Sequence, residues 1–206
     1  VDPAAMDATH IYAPSGTQAP FATPDGASVE HTLLMGGDSL GRDIWSRVVY
    51  GTRVSLIVGL STALVSLGIG GMLGMFAGYF RRVDMLLMRV MDGLMAIPGI
   101  LLAIALVALT QASIWVVIVA ITIPEIPRVV RLVRSVVLTV REQPYVDAAT
   151  ASGTRTPMVI LRHILPNTLA PMLVQATYIC ASAMIVESIL SFIGAGTPPT
   201  IPSWGN

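Results

Sequence analysis

Long uncharged apolar runs, separated by short polar islands, set the pattern of this chain. From Val54 to Phe80 no charge appears, and the run stops at Arg81-Arg82. A helix needs about 20 largely apolar residues to cross a hydrocarbon core roughly 30 Å thick, so residues 54–80 predict one span. A second uncharged run, Gly93 to Pro124, is too long for one ordinary span. Its most polar interior point, Thr110-Gln111-Ala112-Ser113, predicts a helical hairpin with arms over 85–109 and 113–137. The uncharged run Ile164 to Val186 predicts a further span over 166–193. The fold class is therefore all-α, a polytopic transmembrane helical bundle with about four spans.

The remaining segments have other textures. Residues 1–30 are rich in Pro, Ala, Thr and Gly without helical periodicity and predict an extended loop. Leu40, Ile44 and Val48 recur every fourth position, with Asp38 or Ser39 as a cap and Trp45 suited to a headgroup boundary. That pattern predicts a short interfacial helix feeding the first span. The division is then an outer loop, 1–37, and a membrane domain, 38–206.

Composition narrows the class. Hydrophobic residues make up 54% and charged residues only 12%, about half the charge of an ordinary domain. Twelve basic residues balance twelve acidic ones, which argues against nucleic acid as a partner. All the basic residues are Arg, and the absent Lys excludes a phosphate-binding loop and Schiff-base chemistry. Cys180 alone cannot form an internal disulfide, and three scattered His suggest no metal site or cofactor. No catalytic residues are expected. Zero net charge conceals an asymmetry. With four alternating spans, Arg81, Arg82, Arg89, Arg128, Arg131, Arg134, Arg141, Arg155 and Arg162 share one side, and Arg42, Arg47 and Arg53 the other. The positive-inside rule places the larger group in the cytoplasm. The first segment is then translocated with no preceding span and the chain stops in an outer loop. The expectation is a fragment lacking a helix at each end, with a complete four-span protein as the alternative.

Two features lie within the spans. Thr62, Ser66, Gly70, Gly74 and Gly78 recur every fourth position, a stripe that lets helix backbones approach closely. Helix packing is the first reading, a sliding surface during gating the second. Glu125 lies about 20 Å past Ala112 along a helix and has Arg128 and Arg131 within reach, so ion pairing competes with a place on a translocation path. Glu187, near the outer end of the last span, is the other path or gate candidate. Asp92 is expected in the interface, paired with Arg89.

The polar island 141–165 is the most informative. Pro144 suits a first helical turn and Gly153 a helix stop, leaving a helix of two turns. Thr156-Pro157 starts a second short helix before His163-Ile-Leu-Pro166-Asn167. Such helices need a partner to hold them. An amphipathic helix on lipid headgroups would carry more Trp and basic residues, whereas Ala148-Ala149 makes a slim surface suited to a protein groove.

Asp147-Ala148-Ala149, then Gly153, then His163-Ile-Leu-Pro166-Asn167, resembles the coupling loop of binding-protein-dependent ABC importer permeases. Asp38-x-x-Gly41-Arg42-Asp43-x-x-Ser46-Arg47, Gly51-x-Arg53-x-Ser55-Leu56, Gly78-Tyr79-Phe80, Leu190-Ser191-Phe192-Ile193-Gly194 and Pro202-Ser203-Trp204-Gly205-Asn206 resemble its dipeptide, oligopeptide and nickel branch. Asp147 stands where that family usually has Glu, and Gly37 where Thr commonly precedes the Asp. The resemblance implies a bacterial inner-membrane, multi-pass permease with six spans, of which four are present. It also implies a second permease subunit, two ATP-binding cassette ATPase subunits, an extracytoplasmic substrate-binding protein and surrounding membrane lipid. Asp147, Ala148, Ala149, Gly153, Pro166 and Asn167 would couple the chain to an ATPase, and ATP hydrolysis would lie on separate subunits. Di- or oligopeptides are the expected cargo, with nickel or another small solute as the alternative. A secondary transporter or channel would explain the spans but not the paired short helices, and a membrane scaffold only the small-residue stripe.

Overall fold

The computed structural model describes residues 2–22, 28–110, 113–198 and 200–206. Its contacts divide the chain into two units: Val1–Ile57 with Glu187–Asn206, and Val58–Val186.

In the first unit, strands β1 (Thr17–Ala22) and β2 (Ser28–Leu33) pair antiparallel, with Thr17 opposite Leu33. This corrects the extended loop expected over residues 1–30. The alternation that puts Ala19 and Phe21 on one face has period two, which a search for helical periodicity does not register. Ala19, Phe21 and Leu33 are buried together with Ala5 and Ala13 packed on them. The separate interfacial helix is also absent. The Asp38 carboxylate accepts from the backbone N–H of Leu40 (2.8 Å) and Arg42 (2.9 Å) and from Arg42 Nε (2.6 Å). Gly41, at φ +70°, turns the chain away from helix. Helix α1 (Ile44–Tyr79) then starts in one piece. Its cap is Asp43, not Asp38 or Ser39: Asp43 accepts from the N–H of Trp45 and Ser46, both at 3.2 Å, and from Ser46 Oγ at 2.6 Å. His31 Nε2 lies 3.1 Å from the same carboxylate and ties β2 to this helix start.

In the second unit, α2 (Arg81–Met95) and α3 (Gly99–Ala108) are bent by 80°. The arm expected as one helix over 85–109 is therefore broken. Pro98 cannot donate a helical hydrogen bond, and it pushes Ile97 out of helical backbone. The turn expected at Thr110–Ser113 falls partly on residues 111 and 112, outside the described residues. Ser113 caps α4 (Ile114–Val140), its Oγ accepting from Val116 N–H at 3.3 Å. Two short helices follow, α5 (Pro144–Ala151) and α6 (Thr156–Val159), then a π-helical turn (Ile160–Ile164) and α7 (Leu165–Phe192).

Among the described residues, α1 and the continuous stretch Thr156–Phe192 are long and apolar enough to cross a membrane, and the bent α2–α3 pair would make a third span. Helix α4 has the length, at 27 residues, but carries Glu125, Arg128, Arg131 and Arg134. The chain is thus a polytopic helical membrane protein.

Helices α1 and α4 meet along the glycine stripe. A Cβ on Gly70, Gly74 or Gly78 would lie 2.6, 2.8 or 2.6 Å from the Cβ of Val129, Val133 or Val137 respectively. Those valines are fully buried, so each glycine receives one knob of the facing helix. Higher in the stripe, Thr62 and Ser66 are fully buried, and their hydroxyl oxygens have no hydrogen-bond partner among the described residues.

Candidate functional site

Helix α5 is held from both ends and from beneath. Pro144 occupies its first turn, where the missing N–H costs nothing. At the other end Thr154 N–H reaches back to Ala149 O (3.1 Å) and Gly153 N–H to Thr150 O (3.0 Å). This paired closure requires a left-handed residue, and Gly153 sits at φ +80°. Beneath the helix, Val146 is buried in one cluster with Val137 and Val140 of α4, Val159 of α6 and Ile164 of the π turn. On the outside, Asp147, Ala148 and Gly153 are exposed and Ala149 is half-buried. A two-turn helix, marginal alone, is thus anchored by one valine while it presents a slim acid-alanine face.

Pro166 and Asn167, exposed at the start of α7, act behind that face. Pro166 has no N–H for the carbonyl four residues back, and its ring crowds that turn. The preceding turn is widened, with Leu165 N–H bonded to Ile160 O five residues back. One turn on, Asn167 Nδ2 donates to His163 O (2.6 Å) and to Tyr145 Oη (3.2 Å), joining α7 to α5. The Tyr145 and His163 rings lie 6.2 Å apart. Sequence reasoning missed Tyr145 and Val146, since no periodicity links Tyr145 to a residue 22 positions away. Nearby, Arg141 Nη1 donates to Gly78 O at 3.0 Å and satisfies a carbonyl in the last turn of α1. Tyr79, Arg141, Glu142, Val146, Asp147 and Thr150 line a cleft of about 440 Å³ beside α5.

The charges of α4 are paired in three ways. Arg128 Nη1 donates to Glu125 Oε1 (2.6 Å) on the same helix, and the buried Glu125 Oε2 has no partner among the described residues. Arg131 Nη2 donates to Asp92 Oδ1 at 2.6 Å, so Asp92 pairs across to α4 and not with Arg89. Arg134 forms a two-pronged contact with Asp84, Nε to Oδ1 and Nη2 to Oδ2.

Glu187, in the first unit, is fully buried among hydroxyls. Its Oε1 accepts from Ser191 Oγ (2.7 Å) and Thr197 Oγ1 (3.4 Å), its Oε2 from Ser55 Oγ (3.5 Å). Thr197 Oγ1 reaches Ser203 Oγ (3.4 Å), and Trp204 N–H reaches Ser55 Oγ (3.4 Å). Glu187 and these hydroxyls thus join the end of α7, Thr197, Ser203 and Trp204 to Ser55 of α1 from within. Among the described residues no group of three or more His, Cys, Asp or Glu side chains could hold a metal ion.

Residues 70–206 match the family model described as the binding-protein-dependent transport system inner membrane component. A Sinorhizobium fredii protein named "probable peptide ABC transporter permease" is 56% identical over 175 residues, covering 85% of this chain and 60% of that relative. The dipeptide transport system permease of Alkalihalophilus pseudofirmus is 42% identical over 202 residues, 95% of this chain and 66% of its own length. The chain spans about 60% of the length of the first curated relatives it matches. Among solved structures, an inward-facing MetNI methionine ABC transporter is similar in fold, with TM-score 0.57, 19% identity, and coverage of 75% of this chain and 77% of that one.

Proposed function

This chain belongs to the binding-protein-dependent transport system inner membrane components, and from that premise we propose that it serves as a permease subunit of an ATP-driven importer of di- or oligopeptides. It would form the translocation path with a second permease, take its energy from two separate ATPase subunits and receive cargo from an extracytoplasmic binding protein. The observation that carries this reading is α5. Its anchored inner face and exposed Asp147-Ala148 face make a rigid rod suited to a groove in a moving partner, which converts partner closure into helix rocking. The names of the relatives, peptide and dipeptide permeases, support the cargo class.

The test is co-purification of the full-length subunit, expressed with its neighbouring genes, followed by peptide uptake. ATPase subunits are expected to co-purify, and Ala149→Trp or Gly153→Asp to abolish uptake with membrane insertion intact. Uptake that persists with the ATPases inactivated would sink the importer reading; normal uptake by both variants would sink the coupling role of α5.

A further inference from the structure

The exposed residues in the second half of α4 are Arg128, Arg131, Ser135 and Thr139. Every one is polar. At 100° per residue they fall within an arc of roughly 80°, opposite the buried valines 129, 133 and 137. Arg128 stands near the middle of this 27-residue helix, about 20 Å from either end at 1.5 Å per residue. Its side chain is 46% exposed and that of Arg131 43%. Wherever this stretch of α4 enters the hydrocarbon, a half-exposed guanidinium cannot rest against lipid tails at tolerable cost, so this face needs water or a polar partner.

The three arginines are not equivalent. Arg134 is engaged by both prongs with Asp84 and has its carboxylate-binding edge filled. Arg128 and Arg131 each hold a carboxylate through one nitrogen only. A guanidinium has five N–H donors, so both keep donors for a second carboxylate while Glu125 and Asp92 fix their positions.

We propose that the Arg128–Arg131–Ser135–Thr139 face of α4 lines the aqueous path, and that Arg128 and Arg131 take the carboxylate of the passing peptide. This rests on the importer reading and adds which surface the cargo touches and by which group. Arg128 and Arg131 are the contact residues, Glu125 and Asp92 the positioning residues, and Ser135 and Thr139 continue the wetted track toward the end of the helix.

The test uses the full-length subunit with its partners in inside-out vesicles, in a Cys180→Ser background. Single cysteines replace Ser135, Thr139 and, as a packed control, Val133, and are exposed to a membrane-impermeant thiol reagent. Ser135→Cys and Thr139→Cys are expected to label where Val133→Cys does not. Trialanine at about ten times its Kd should slow labelling of Ser135→Cys about tenfold, because only about one site in ten is then empty, and its C-terminal amide at the same concentration should not. Adding Arg131→Gln should remove the protection by trialanine and Arg131→Lys should retain part of it. The double variant Glu125→Gln/Arg128→Gln, which leaves no buried charge unpaired, should weaken protection as well. Labelling of residues 135 and 139 no faster than of 133 overturns the path. Equal protection by the acid and the amide, or protection unchanged in both Arg131→Gln and the Glu125→Gln/Arg128→Gln double variant, overturns the carboxylate contact. Either failure, with uptake still dependent on the ATPases, leaves the importer reading standing.

Discussion

At the scale of single residues, Asp38 shows how one carboxylate organises a turn. Burial pushes its pKa up, but the N–H groups of Arg42 and Leu40 and the Arg42 guanidinium outweigh burial and hold it below the usual carboxylate range. A depressed folded-state value adds stability above the unfolded value of about 3.9 and loses it as pH falls further. Amide protection at Leu40 and Arg42 is therefore expected to hold from neutral pH to about pH 4 and to fall below it. Hydrogen exchange read by mass spectrometry checks this, and Asp38→Asn should erase the step; a step that survives in that variant refutes the assignment. Glu187 teaches the complementary lesson. Its position near a span end pointed to a path or gate, yet its neighbours Ser55, Ser191, Thr197 and Ser203 come from separate stretches of chain. No local pattern announces a hydroxyl cage assembled in that way.

At the scale of elements, the glycine stripe of α1 was legible as a face built for close approach, because spacing by four marks one side of a helix. Its counterpart, the valines of α4, was not, since valines are common in any apolar helix. The fit is tight enough to test. Gly74→Val would drive new methyl groups into Val133, whose Cβ lies 2.8 Å from where a Cβ on Gly74 would stand. It should destabilise the protein by about 1–3 kcal/mol, seen as a lowered thermal unfolding midpoint in detergent. Gly68→Ala is the contrasting variant, because nothing lies within 4 Å of its added Cβ. There the midpoint should hold or rise, since Ala favours helix. If both variants behave alike, the packing account is wrong. The break between α2 and α3 was also written in the chain, at Pro98, but an apolar run read only for length passes over it. The β1–β2 pair was hidden for a related reason. Its alternation is short, and its stability comes from Ala19 and Phe21 being buried together with Leu33, which needs the second strand.

At the scale of the whole molecule, the coupling role proposed for α5 depends on how that helix is tied to α7. Asn167 bridges the start of α7 to Tyr145 of α5, so the long helix and α5 are expected to move together. Asn167→Ala removes that bridge without touching the exposed face of α5. If α5 couples the chain to an ATPase as proposed, peptide uptake should fall about fivefold, the worth of one hydrogen bond, while ATP hydrolysis by the assembled complex falls less. Tyr145→Phe should shift the ratio the same way, and a parallel loss of both activities would argue for simple misassembly. The family and the long apolar helices follow from the chain read in one dimension. Hydropathy, charge and helix punctuation are local properties, and the bilayer acts on them directly. Which glycine receives which valine, which acid holds which arginine, and which face of α4 is left polar were decided only by the tertiary structure. Those choices depend on contacts between residues far apart in sequence, whose energies exist only once the helices have packed.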